Sequence, residues 1–162
     1  MPPTANERLA QGIAFGLPLL LLGGAWGSQL IGGLIPCEMC HWQRWPHYAA
    51  IVIAGLSFMV PQRSIRASLV LVAALLIAVS GVIGVAHAGV EYHWWEGFTA
   101  CTANVSMAGQ SAAARLDAIL GAPIVRCDAP QWTFAGISLA GFNAILSFAG
   151  AITIFVLMRK AR

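Results

Sequence analysis

The sequence predicts an all-α membrane protein: a bundle of four transmembrane helices with one long outer loop that carries a short interfacial helix. Three observations predict it. The 162-residue chain is 59% hydrophobic and only 9% charged, whereas an ordinary soluble domain runs at roughly 45–50% and about 25%. Its apolar residues gather into four long runs almost free of charge, and Arg and Lys concentrate in alternate connections between them. A mean hydropathy of +0.76 leaves too few polar residues to coat a globule in water. Intrinsic disorder needs low hydrophobicity and high net charge, and a nucleic-acid binder needs clustered Lys and Arg, so both are excluded.

The whole chain, 1–162, reads as a single integral membrane domain without repeats. A helix crosses a hydrocarbon core of about 30 Å with roughly 20 residues. The first run, 12–35, is interrupted only by Ser28 and Gln29 and has Pro18 as a kink site. It is too long for the roughly 7–15 residues of a signal-peptide core, and Trp26 breaks the small-residue segment that cleavage needs, so it is expected to be a retained span. The second run, 45–60, is short. At 1.5 Å per residue it reaches about 24 Å, which places Arg44 at one membrane interface. The third, 67–90, carries His87 near its end, and the fourth, 133–158, carries Asn143, expected to hydrogen-bond between helices. Residues 61–66 form a turn, and 36–44 and 91–131 form the outer connections. Within 106–120, Leu116, Ile119 and Leu120 recur at helical spacing among alanines, which predicts a short helix on the outer membrane surface. The tryptophans at 42, 45, 94 and 95, with Phe98, suit an interfacial belt.

Orientation follows from the excess of Lys and Arg on the cytoplasmic side of short connections. Arg8, Arg63, Arg66, Arg159, Lys160 and Arg162 fall on one side, and Arg44, Arg115 and Arg126 on the other. Both termini are therefore expected to be cytoplasmic. All four cysteines, Cys37, Cys40, Cys101 and Cys127, then lie on the outer side, where an oxidising compartment such as a bacterial periplasm favours disulfides. Of the three possible pairings, local spacing favours Cys37 with Cys40 and Cys101 with Cys127.

The chemistry is concentrated in Pro36-Cys37-Glu38-Met39-Cys40-His41-Trp42-Gln43-Arg44. A C-x-x-C pair at a helix mouth is a redox arrangement, because the N-terminal dipole and free N–H groups stabilise a thiolate. Arg44, one turn beyond Cys40, puts a permanent cation near that sulfur. Glu38, between the cysteines, is expected to oppose a thiolate. An electron acceptor dissolved in the lipid fits this location, and a quinone, whose oxygens gain charge on reduction, meets the requirement.

The C-x-x-C pair with Gln43-Arg44 after a first span, the four-span layout, and the second outer loop with Cys101 and Cys127 resemble the DsbB family of membrane thiol:quinone oxidoreductases. The resemblance extends over nearly the whole chain. It implies a bacterial inner-membrane enzyme that reoxidises a periplasmic, thioredoxin-like DsbA partner and passes two electrons to ubiquinone or menaquinone. By the same resemblance, Cys101 forms the mixed disulfide with the partner and Cys127 relays the electrons. Cys37 exchanges with the loop cysteines, Cys40 faces the quinone, and Arg44 holds it, with His87 or Glu91 as the quinone-side group near the end of the third span. DsbA is a strong oxidant at about −120 mV, and 30 mV is worth about 1.4 kcal/mol for two electrons. A structural disulfide below about −300 mV cannot reoxidise it, so strained or exposed bonds and a quinone sink are expected.

Two other readings use the same residues. Cys37-x-x-Cys40-His41 is formally a c-type haem attachment sequence, which makes the chain a membrane-anchored cytochrome. That leaves Cys101 and Cys127 without a role and gives a haem little cover. Alternatively, the disulfides only staple the loops of a non-enzymatic scaffold, worth about 3 kcal/mol for a loop of the Cys101–Cys127 length. Zinc binding is disfavoured by the long spacing of the second pair and by the compartment, and no metal is expected.

Overall fold

The computed structural model describes residues 2–97, 99, 111–120 and 125–161. The chain runs α1 (Ala5–Leu30), α2 (Glu38–Met59), α3 (Arg63–Glu91), α4 (Ala112–Leu120), β1 (Thr133–Phe134), β2 (Ile137–Ser138) and α5 (Leu139–Lys160). Three helices, α1, α3 and α5, are long and apolar enough to cross a membrane. At 22 residues α2 is long enough, about 33 Å, but its first turns carry Glu38, His41, Gln43, Arg44 and His47 and dilute its apolar character.

Several boundaries differ from those predicted. Helix α1 starts seven residues before the apolar run, because Thr4 caps it. The Thr4 hydroxyl accepts from the Glu7 N–H at 3.2 Å, and the Glu7 carboxylate accepts from the Thr4 N–H at 2.9 Å, a reciprocal capping box. It ends at Leu30 and not at Ile35. Helix α2 begins at Glu38, capped by Cys37, so Arg44 lies inside the helix and not at its start. Residues 133–138, assigned to the fourth span, form a small antiparallel hairpin with Thr133 opposite Ser138 and Phe134 opposite Ile137. Ala135 and Gly136 have φ of 50° and 77°, which closes a two-residue turn with the twist that hairpins favour. Of the helix expected over 106–120, Ala112–Leu120 is helical, and residues 106–110 lie outside the described residues.

Helix α3 packs against both α2 and α5, while α1 closes the bundle against α2 and α5. The buried stripes consist mainly of small residues. They are Ala10 and Ala14 on α1, Ala50 and Ala54 on α2, Ala73, Ala74 and Gly84 on α3, and Ala140, Ala144 and Gly150 on α5. Large apolar side chains, among them Leu20, Phe58, Leu75, Val82 and Phe155, face outward. This distribution suits lipid, where helices gain little from hiding leucine and instead pack closely through small residues. A Cβ on Gly84 would stand 3.0 Å from the Ala140 carbonyl oxygen and 3.1 Å from the Ala144 nitrogen, so α3 and α5 meet backbone to backbone there.

Polar clamps close both ends. At one end Glu7 pairs with Arg63 at 2.7 Å and with Arg66 at 3.7 Å, and Arg63 also donates to the Ala161 carbonyl. The two ends of the chain and the 60–62 turn therefore share that side. At the other end Gln131 bonds both the N–H and the carbonyl of Ile35, at 3.0 and 2.6 Å. The Tyr92 hydroxyl accepts from the Ser138 N–H at 2.7 Å and donates to the Gly136 carbonyl at 2.9 Å, tying the hairpin to the end of α3. The segment carrying Cys127 is thereby brought back over the mouth of α2.

Candidate active site

Cys37 is the N-cap of α2, with extended backbone, and its sulfur accepts the Cys40 N–H at 3.3 Å. Capping by a sulfur holds it over the positive end of the helix. The Cys37 thiol donates to the Cys40 sulfur at 2.9 Å. This hydrogen bond to Cys40, together with burial, pushes the Cys37 thiol far above its ordinary pKa. The proton therefore stays on Cys37, and negative charge at the pair falls on Cys40. Glu38 is the first residue of the helix and is exposed. There its carboxylate meets the helix dipole favourably.

Arg44 is 8% exposed. Its Nη1 donates to the Gln29 side chain at 2.8 Å and its Nη2 to the Ala25 carbonyl at 3.2 Å. Its Cζ lies 5.3 Å from the centre of the Trp26 ring. The guanidinium is therefore positioned by the end of α1, which composition alone did not indicate. His87, 2% exposed, comes from α3 to within 3.5 Å of the Cys37 sulfur. Glu91, one turn later, is 3.7 Å from the His87 Nε2. The donor atoms of Cys37, Cys40 and His87 all lie within 4.8 Å of one another, which makes them the residues able to hold a metal ion here. Cys127 is fully buried and packs in one cluster with Cys37, Met39 and Val90. Cys37, Cys40 and Cys127 are free thiols. Cys101 lies outside the described residues, as does Phe98.

A polar ladder beneath the cysteines went unnoticed in the sequence. Gln43 Nε2 lies 2.8 Å from His87 Nδ1, and Asn143 Nδ2 donates to Gln43 Oε1 at 2.9 Å. His47 Nε2 lies 2.9 Å from both Asn143 Oδ1 and Ser80 Oγ. Asn143 bridges helices as expected, and His47 is buried in the bundle. The available signal was spacing, since Gln43 and His47 are four residues apart on α2 and Ser80 and His87 seven apart on α3.

Above the ladder, between α1, α2 and α5, lies a cavity of about 300 Å³ lined by Cys37, Cys40, Arg44, His47, His87 and Glu91, with Leu20, Leu21, Phe142 and Leu146 as apolar wall. Leu20 and Leu146 are also exposed on the outer surface of the bundle, so the cavity extends to its lipid-facing side. Among the described residues, three buried polar atoms of its lining have no hydrogen-bond partner: Arg44 Nε, His47 Nδ1 and Glu91 Oε2. Buried polar atoms are rarely left so. A two-sulfur centre thus borders a greasy chamber furnished with one spare donor and two spare acceptors.

The family model of Disulfide bond formation protein DsbB matches residues 7–157. The chain belongs to the DsbB family. No curated protein and no solved structure matches it. DsbB membership makes it an oxidoreductase of disulfide bond formation built from membrane helices. The cytochrome and scaffold readings are set aside accordingly, and His41, the ligand a haem would need, is exposed and stands apart from the Cys37, Cys40 and His87 group.

Proposed function

We propose that this DsbB protein oxidises a periplasmic DsbA-like dithiol and delivers the two electrons to a membrane quinone, ubiquinone or menaquinone. All four long helices cross the inner membrane, with both termini cytoplasmic, and α4 rests on the outer surface. The observation that carries the reading is the placement of the Cys37–Cys40 pair on a lipid-reaching cavity with three unpartnered polar atoms. A quinone ring with an apolar tail suits such a chamber: Arg44 Nε can donate to an oxygen, and His47 Nδ1 and Glu91 Oε2 can accept from a hydroxyl.

The sulfur steps are thiolate attacks through mixed disulfides. The partner's thiolate attacks Cys101, and Cys127 leaves as the thiol that next meets Cys37. Attack on Cys37 forms a Cys37–Cys127 disulfide, breaks the Cys37–Cys40 bond and puts the departing charge on Cys40, where Arg44 and the mouth of α2 stabilise it. The partner's second thiol then displaces Cys101 and leaves as a disulfide, and Cys101 attacks Cys127, restoring their bond and releasing Cys37 as a thiol. When bound, the quinone supplies a sink for two electrons and two protons. Re-forming the Cys37–Cys40 disulfide gives up two electrons and the Cys37 proton, and the second proton enters from solvent.

The test mixes purified protein with a reduced thioredoxin-like dithiol and a short-chain quinone and follows quinone absorbance. Wild type should reduce the quinone catalytically, and Cys40→Ser should not. Equal rates in the two would overturn the proposal.

A further inference from the structure

The ladder under the cysteines runs in one chemical direction. Gln43 Nε2 donates to the Met39 backbone carbonyl at 3.2 Å. A carbonyl only accepts, so that end of the Gln43 amide is the nitrogen. The same nitrogen lies 2.8 Å from His87 Nδ1, which must then accept. Asn143 is anchored in the same way, with its Nδ2 donating to the Ser80 backbone carbonyl at 3.2 Å and to Gln43 Oε1 at 2.9 Å. Its oxygen takes the His47 Nε2–H at 2.9 Å.

We infer that Gln43, itself oriented by Asn143, is a positioning residue that fixes His87 in the tautomer carrying its hydrogen on Nε2, so that His87 meets the Cys37 sulfur as a hydrogen-bond donor and as neither a base nor a metal ligand. The surroundings of Nε2 agree, for both can accept: the Cys37 sulfur at 3.5 Å and the Glu91 carboxylate at 3.7 Å.

Two consequences follow. A donor aimed at Cys37 stabilises negative charge on that sulfur whenever it departs as a thiolate, a consequence that rests on the redox role proposed above. The second concerns metals. Two thiols and an imidazole within 4.8 Å are a donor set for soft ions such as Zn²⁺ or Cd²⁺. A histidine that binds a metal normally hands its other N–H to a carboxylate, carbonyl or water. Here the other nitrogen receives an N–H. With Nε2 protonated the reduced dithiol lacks its third ligand and is protected from capture by such ions.

The test uses the full-length, reduced protein in micelles with ¹⁵N-labelled histidine and glutamine side chains, and His87→Gln to assign the resonance. In wild type, His87 should show only the Nε2–H tautomer at neutral pH, with a nitrogen–nitrogen coupling across the bond from Gln43. Gln43→Leu should give a mixed or Nδ1–H signal. It should also bind Cd²⁺ on the order of tenfold more tightly than wild type, a gain lost again with His87→Gln. A wild-type His87 protonated on Nδ1 overturns the inference, as does an unchanged Nε2–H signal in folded Gln43→Leu. Should that variant fail to fold, the coupling in the native protein decides. None of these readouts needs quinone or partner, so failure of the thiol:quinone activity would be seen separately.

Discussion

Replacing Asn143 by leucine tests whether the ladder holds the bundle as well as the site. Leucine is close to asparagine in size, so the change removes polarity with little cavity. Asn143 reaches two residues of α2, Gln43 and His47, both at 2.9 Å, and Ser80 of α3 at 3.1 Å. Side-chain hydrogen bonds between membrane helices are worth about 0.6 kcal/mol on average and at most about 1.7, so three partners give about 2 kcal/mol. His47 Nε2 keeps Ser80 Oγ at 2.9 Å, and the Ser147 hydroxyl, which donates to Asn143 Oδ1 at 3.2 Å, can turn to a carbonyl of its own helix, so Gln43 Oε1 is the acceptor left newly unpaired, for about 1–3 kcal/mol more. The expected loss is therefore about 3–5 kcal/mol, measured by reversible unfolding in mixed micelles with increasing dodecyl sulfate. Thr153→Ala is the control. Among the described residues Thr153 bonds only the Ala149 carbonyl of its own helix, at 2.7 Å, and its loss should stay within about 0.5 kcal/mol. If Asn143→Leu is no worse than this control, the ladder does not join the helices energetically and the reasoning fails.

Arg44→Lys keeps the charge but cannot reach Gln29 and Ala25 together while lying over Trp26. The KM for a short-chain quinone should rise on the order of tenfold, about 1.4 kcal/mol, and an unchanged KM in steady-state assays would remove Arg44 from the site. Because the hydrogen bond to Cys40 holds the Cys37 thiol above its usual pKa, iodoacetamide at neutral pH should modify Cys40 of the reduced protein first, with Cys37 reacting only as pH rises past the ordinary thiol range. In Cys40→Ser the anionic acceptor is gone and Cys37 should react at lower pH than in wild type, as mass mapping would show. Gly84→Ala forces a methyl against the Ala140 and Ala144 backbone and should destabilise the bundle by about 1–3 kcal/mol, with a Tm unchanged from wild type as the contrary result.

The chemistry-bearing residues were legible where they are local. The C-x-x-C pair and Arg44 sit within one helical turn or two of each other, and their spacing alone puts them on a common face. The start of α2 was not legible from hydropathy, because the residues that furnish the site, Gln43, Arg44 and His47, are the ones that make its first turns look like a loop. The hairpin at 133–138 was hidden by its apolar character, although Ala135-Gly136 marks a turn once the positive φ values are known. Gln29 and Trp26 around Arg44, and the Gln43, Asn143, His47 and Ser80 ladder, depend on the rotation of three or four helices against one another. A single sequence shows which residues are polar within each apolar run but not which of them meet.

The burial of Cys127 bears on the order of the sulfur exchanges. Its sulfur is fully covered, packed with Cys37, Met39 and Val90, and it accepts the Thr99 hydroxyl at 3.7 Å. Thiol–disulfide exchange requires the attacking sulfur to reach its target, and no outside thiolate reaches Cys127 without lifting the 125–131 segment from the mouth of α2. That segment is tied down by Gln131 on Ile35. In the exchange proposed above, Cys127 is thus suited to the inner leg, toward Cys37, and the outer leg is the one proposed for Cys101. In a reduced Cys101→Ser protein, a charged maleimide should accordingly label Cys127 at least about tenfold more slowly than after unfolding, since labelling must wait for a local opening worth more than about 1.4 kcal/mol. Releasing the tie with Gln131→Ala should speed it. Labelling as fast as in the unfolded chain would mean that Cys127 is open to the partner directly, and the division of the two legs between Cys101 and Cys127 would have no structural basis.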